Sequence, residues 1–280
     1  MSSILTNSSA MIALQTLKSI NSNLAKAQDE ISTGKTVATA KDNAAIWAIS
    51  KVMETDQSAF KAMQVNLNAA GAVISTARNG AEEIVELLGE MRDLAVGAAS
   101  DIQDHGTVQV DIEKKMEQIA SIISGTQLNG VNLLSTNGIN GTDSFQVLAS
   151  LDRQVGTTPT TANQITVDSL DLEDAIVGSG VTPITDRATA LTAIEEIEAL
   201  IDIAVAGAAA LGSASKRIED QSNFVSKLAD SLKVGIGALV DADMEEASAR
   251  LQALQTQQQL GIQALSIANQ APSSILALFR

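Results

Sequence analysis

Cysteine is absent from the 280-residue chain, proline occurs three times, and aromatic residues make up 2% with no tyrosine. Without cysteine, no disulfide or thiolate metal site can form. With so little proline, long stretches have nothing to interrupt a helix. A hydrophobic content of 45% with almost no aromatic bulk points to helices packed in close layers by Ala, Leu and Ile. Basic residues are also scarce: 18 Lys and Arg against 33 Asp and Glu give a net charge of −15. That balance argues against nucleic acid and against anionic membrane surfaces as partners, since both need a basic face.

Other absences narrow the function. His105 is the only histidine and falls in what reads as a loop, Ser100 to Gly106. No Ser/His/Asp set, metal cluster or phosphate-binding loop appears, so the expectation is no enzyme, no cofactor and no metal. Asp241, Asp243, Glu245 and Glu246 read as the cap and first turn of a helix rather than as a cation site. The start lacks the basic stretch, apolar core and cleavage site of a Sec-type signal peptide. No membrane span is expected either. The longest uncharged run, Leu251 to Phe279, is broken by seven glutamines.

What is present is a helical seam. From Ile46, apolar residues recur at steps of three and four: Ile49, Met53, Phe60, Met63, Leu67, Ala70, Ile74, Ala77, Ala81, Ile84, Leu88, Met91, Ala95 and Ala98, with Asp56 the one polar member. This 3.5-residue repeat marks a helix whose seam follows a partner helix. At 1.5 Å per residue it would be about 80 Å long, and it cannot cover its own seam. A second such helix runs through Ala10, Ala13, Leu17, Ile20, Leu24, Ala27 and Ile31 and stops near Gly34. The connector Lys35 to Lys41 follows, with Asp42 as the expected N-cap of the long helix. A third helix, Thr107 to Thr126, presents Val108, Ile112, Met116, Ile119 and Ile123.

The texture then changes. Asn129-Gly130, Asn137-Gly138 and Asn140-Gly141 are turn dipeptides, the last opening a glycosylation sequon that reads as a chance match. Phe145 to Leu151 and Gln164 to Leu172 read as a small β-hairpin, and Pro159 and Pro183 fall nearby. From Ile184 to Ala271 the pattern is helical again. One seam runs from Leu191 through Ile197, Leu211, Ile218 and Val225 to Leu239. It slips near Asp241 to Val240, Met244, Ala247, Leu251 and Leu254, a joint. Pro272 is expected to end the helix. The fold class is therefore mainly α: a long antiparallel coiled-coil or helical bundle with paired N- and C-terminal helices and a small central β-hairpin region.

Both ends are uncharged. Met1 to Leu17 carries no charged residue, and neither does Leu251 to Phe279. Chain ends are ordinarily polar and frayed. Neutral, seam-bearing ends suit a place where many identical copies crowd one axis and like charges would repel. The expected assembly residues are Leu17, Ile20, Leu24, Leu251, Leu254, Leu265, Ile275, Leu278 and Phe279.

Several segments resemble bacterial flagellin. Ile31-Ser32-Thr33-Gly34-Lys35 sits where that family has a Leu-Ser-Ser-Gly type motif. Ala40-Lys41-Asp42-Asn43-Ala44-Ala45-Ile46-Trp47-Ala48-Ile49-Ser50, Met91-Arg92-Asp93-Leu94-Ala95-Val96 and Asn129-Gly130-Val131-Asn132-Leu133-Leu134 follow in family order. So do Val240-Asp241-Ala242-Asp243-Met244, Ala268-Asn269-Gln270-Ala271-Pro272 and Ile275-Leu276-Ala277-Leu278-Phe279-Arg280. The two ends together cover about three quarters of the chain, and the wording around Trp47 resembles alphaproteobacterial flagellins.

The resemblance implies a structural subunit that polymerises into the flagellar filament for swimming. A hook–filament junction protein is the alternative, and a cytosolic helical scaffold a more distant one. It implies three parts: 1–41 plus 236–280, a terminal coiled coil lining the filament core; 42–134 plus 185–235, a rod-like wall; and 135–184, the hairpin with a reduced outer surface. The implied partners are copies of itself, the filament cap and hook–filament junction proteins, the flagellar type III export apparatus and an export chaperone. The implied location is extracellular, reached by secretion. In the stretch that a Toll-like receptor contacts in the family, this chain has Gly89, Glu90, Arg92, Leu94 and Gly97. The first family Arg is replaced by Glu90 and both Gln by glycine, so weak recognition is expected.

Overall fold

A computed structural model describes residues 7–100, 104–135, 144–150 and 163–278, with side chains as far as Gln270. Five α-helices carry most of it: α1 (Ser8–Thr33), α2 (Ala44–Ala98), α3 (His105–Gly125), α4 (Arg187–Val240) and α5 (Met244–Leu278). Strands β1 (Ser144–Leu148) and β2 (Gln164–Asp168) form an antiparallel pair, and a π-helix spans Glu173–Gly178. The class is mainly α with a small hairpin. The turn dipeptides at Asn137 and Asn140, together with Leu151, Pro159 and Phe279, lie outside the described residues, as do the side chains of Ile275 and Leu278.

The chain divides into two compact units, residues 58–229 and residues 1–57 with 230–280. In the first, the seam of α2 is the core: Met63, Leu67, Ala70, Ile74, Ala77, Ala81, Ile84, Leu88, Met91, Ala95 and Ala98 are all buried. Each large member contributes roughly 1.5–3 kcal/mol by leaving water. The alanines between them let neighbouring elements come close, which is how this core does without aromatic bulk. Val108, Ile112, Ile119 and Ile123 of α3 close over it, with Met116 partly buried alongside. From α4 come Ala190, Ala193, Ile197, Leu200, Ala204, Leu211, Ile218 and Val225. Leu191, expected in that seam, is exposed. The first turns of α4 bury Ala190 and Ala193 instead, so the inward face there lies one residue from the expected one.

The hairpin pairs Phe145 with Val167 and Val147 with Ile165, and Val147, Ile165 and Val167 face the core. Both strands are shorter than expected. Ser169 and Leu170 leave β2 because Leu170 N–H and the Ser169 hydroxyl donate to the Leu133 carbonyl instead. Asn129 and Gly130 adopt positive φ, 54° and 80°, and join Leu128 to Val131 through two mutual backbone hydrogen bonds. That is the turn for which an Asn-Gly pair is suited. Asn132, buried just beyond, donates to the Ile123 carbonyl at 2.6 Å and accepts from Leu134 N–H at 2.9 Å. The π-helix had no counterpart in the sequence reading; it buries Ile176.

His105 is not in a loop. It is the first residue of α3, behind the N-cap Asp104. One stretch of α4 is long and apolar enough, by length and composition, to cross a membrane, which a search for uncharged runs alone passes over; a third of it is buried within the protein.

In the unit formed by the two ends, Val37, Ile236 and Val240 make a small cluster with Ile46, Trp47 and Met53 against it. Asp42 does not cap α2. Asn43 does, its side-chain oxygen accepting from the N–H groups of Ala45 and Ile46 at 3.2 Å. Ile49 points outward, and Ser50 takes the inward place with its hydroxyl donated to the Trp47 carbonyl. Met244 and Leu239 are exposed as well, for α4 and α5 are separate helices, broken at Asp241–Asp243. Asp243 caps α5, accepting from Glu245 and Glu246 N–H, and both glutamates lie in the first turn. Pro272 does not end α5, which continues to Leu278.

Candidate functional site

The uncharged ends pair with each other. Asn7 meets Ala268, Asn21 meets Gln258, and Glu30 meets Arg250, so α1 and α5 run antiparallel. Asn7 caps α1 by accepting from Ala10 N–H at 3.1 Å. Gly34, at φ 69°, ends it with its N–H on the Glu30 carbonyl, the left-handed cap that glycine adopts without strain. The chain then crosses beside the α4–α5 break. Thr36 N–H donates to the Val240 carbonyl at 2.7 Å and Ala242 N–H to the Gly34 carbonyl at 2.9 Å. The joint between α4 and α5 is thereby stitched to the end of α1.

Between the helices lie the expected seam residues. Leu17, Ile20 and Leu24 of α1 are half-buried, as are Leu251 and Leu265 of α5, and Leu254 is buried. The two helices come close at Gly261, where a Cβ would stand 3.1 Å from Leu17 Cδ1 and 3.7 Å from Ile20 Cδ1, so that an added side chain would require Leu17 to shift.

This pairing covers only one side of each helix. Met11, Ile12 and Leu14 on α1, and Leu260, Ile262 and Ile267 on α5, are 45% to 68% exposed. Sequence reasoning missed these six because they lie off the 3.5-residue seam. The signal that could have found them was apolar residues at non-seam positions of the uncharged stretches 1–17 and 251–279. Exposed apolar side chains gathered into a patch are a feature of contact surfaces in general. The first charge on α1 is the exposed Lys18; the first ion pair of α1 comes towards the connector, where the buried Glu30 lies 3.9 Å from Lys26 and 4.0 Å from Arg250.

The connector is held by carboxylates. Asp42 accepts from both Thr39 N–H at 2.9 Å and the Thr39 hydroxyl at 3.0 Å, and these bonds hold its carboxyl below the usual aspartate value. Glu54 accepts from Lys51 at 2.6 Å and from Lys35 at 3.4 Å, and is held low by Lys51 first and Lys35 second.

The stretch expected to meet a receptor lies on α2 in the other unit. Glu90 is exposed and paired with Lys115 of α3, Arg92 is exposed beside Asp93, and Gly89, Leu94 and Gly97 are half-covered. Among the described residues no group of three or more His, Asp or Glu is placed to hold a metal.

The model of the bacterial flagellin N-terminal helical region matches residues 4–138, and that of the bacterial flagellin C-terminal helical region matches residues 191–279. The chain belongs to the flagellin family. Flagellin FljM of Caulobacter vibrioides is 39% identical over all of this chain and 99% of its own. A flagellin of Brucella melitensis is 40% identical over the full length of both. The crystal structure of Bacillus cereus flagellin is similar at 24% identity and a TM-score of 0.49, over 57% of this chain and 88% of that one. This flagellin is a structural subunit that polymerises into the bacterial flagellar filament for motility, and the junction-protein alternative is not favoured. The family's filament is extracellular.

The depressed carboxyls set a pH dependence. A carboxylate whose folded pKa is lowered contributes stability above its unfolded pKa and loses it as pH falls through the folded value. The Thr39 amide proton shift, followed by NMR in the assembled or monomeric flagellin, should hold steady as pH falls past the ordinary aspartate value of about 3.9 and move only below it. A transition at or above that value would contradict the Thr39–Asp42 bonds.

Proposed function

We propose that the paired terminal helices line the filament core and that the six exposed apolar residues of α1 and α5 pack against neighbouring subunits. The observation that carries this reading is the half-covered helix pair: large aliphatic side chains left in water on a segment with no charge. Each would contribute roughly 1.5–3 kcal/mol once covered, and copies repeated around an axis supply the cover. In this reading 1–41 with 236–280 is the core-lining part, 42–134 with 185–235 the wall, and 135–184 the hairpin with a reduced outer surface. Leu17, Ile20, Leu24, Leu251, Leu254, Leu265, Ile275, Leu278 and Phe279 form the seams that hold the core part together.

The subunit reaches its place by secretion through the flagellar type III export apparatus, with an export chaperone, and polymerises between the hook–filament junction proteins and the cap. Membership of the flagellin family supports that route. The receptor stretch supports weak sensing, because Glu90 presents an acid, tied to Lys115, where the family has an arginine.

Two experiments test the reading. Removing residues 251–280 should abolish filament growth in cells while leaving the wall unit folded; normal filaments from the shortened chain would contradict it. In reporter cells carrying the Toll-like receptor, the monomer should signal at least about 30-fold more weakly than a flagellin with the arginine, the equivalent of roughly 2 kcal/mol for a lost anchor. Equal potency would contradict the second part.

A further inference from the structure

α5 contains a helical residue that has no backbone hydrogen to donate. Pro272 lies inside Met244–Leu278 and has no N–H, so the carbonyl four residues before it, that of Ala268, receives nothing from its own helix. An orphaned carbonyl needs another donor. Here the donor comes from the other end of the chain: Asn7 Nδ2 donates to the Ala268 oxygen at 2.7 Å. The same side chain's oxygen accepts from Ala10 N–H at 3.1 Å, and Asn7's own carbonyl accepts from Met11 N–H at 3.1 Å. The amide orientation is set from both sides, since its oxygen must face a donor and its nitrogen an acceptor.

We propose that Asn7 is a positioning residue, a two-sided clasp that replaces the hydrogen bond removed by Pro272 and so fixes the register of α1 on α5. The seam alone is a weak register marker. Half-buried Leu and Ile repeat every turn or so, and a slip of one heptad would present similar side chains. The orphaned carbonyl occurs once, and the cap of α1 occurs once. Matching them selects one alignment, and the alignment carries Leu17 and Ile20 to Gly261, the one place where α5 has no side chain in their way. The proline is then part of the device: it creates the vacancy that only the correct partner fills.

The consequence for assembly rests on the reading that this pair is the packing surface. A double-substitution cycle tests it on the full chain. Asn7→Ser keeps a capping oxygen, since serine caps nearly as well as asparagine, but has no amide to reach Ala268. Pro272→Ala returns an N–H to α5. Asn7→Ser should raise the critical concentration for polymerisation about fivefold to tenfold in the native background. In the Pro272→Ala background it should change it less than about twofold, because the Ala268 carbonyl is then bonded within its own helix. Equal effects in both backgrounds, or no effect in the native one, would overturn the clasp. If Pro272→Ala alone does not polymerise, the same comparison is read from the fraction of each variant taken up into filaments seeded with the native chain. Native chain that never polymerises would overturn the function proposed above instead. Where the native chain does polymerise, the Ala10 amide should exchange slowly in the filament, and fast exchange there would overturn the clasp as well.

Discussion

The constraint on which the rest depends is geometric: two helices that run antiparallel can cover only one face of each other. α1 and α5 use that face for Leu17, Ile20, Leu24, Leu251, Leu254 and Leu265, and even these are mostly half-buried. The six large aliphatic side chains off the seam stay in water. The other unit shows the contrast. There α2, α3, α4 and the hairpin surround one core, in which Leu67, Ile74, Ile84, Leu88 and Met91 are fully buried. One unit is finished by its own chain. The other keeps apolar faces in water, and these are the faces proposed above to meet neighbouring copies.

Charge follows the same division. Acidic and basic residues are spread over the middle of the chain and cease near both ends. On the reading proposed above, a charged side chain in the neutral stretches 1–17 or 251–279 would be desolvated among copies, at a cost that a single monomer would never show. After the exposed Lys18, the first ion pairs of α1, Glu30 with Lys26 and Arg250, appear where the pair nears the connector. Beyond them Asp42 and Glu54 hold the connector by ordinary local bonds.

Much of this was legible in the residue order, and the exceptions share a cause. From Met63 to Ala98 every seam position read from the three-and-four repeat is buried, because a long uninterrupted helix obeys its period. The repeat fails where a local hydrogen bond or a small side chain decides instead. Asn43 outcompetes Asp42 as the cap because Thr39 already occupies the Asp42 carboxylate. At the start of α4, alanines rather than Leu191 face inward. The π-helix follows a segment whose backbone is tied to Leu133 and Leu134, a long-range pairing that no local pattern reveals. Pro272 was read as a stop because a proline normally costs its helix a hydrogen bond; Asn7, which donates to the Ala268 carbonyl, lies 261 residues from Ala268.

The seam between α1 and α5 was legible, but the exposed apolar residues beside it were not. Periodicity finds the face that a helix shows to one partner; it is silent on a second face that meets a different molecule. Amide hydrogen exchange at Leu17 and Leu265, compared between monomer and assembled filament, measures directly whether the terminal pair is completed by neighbours. The account predicts fast exchange at both amides in the monomer and strong protection in the filament. Slow exchange in the monomer would show that the pair is stable alone and contradict it.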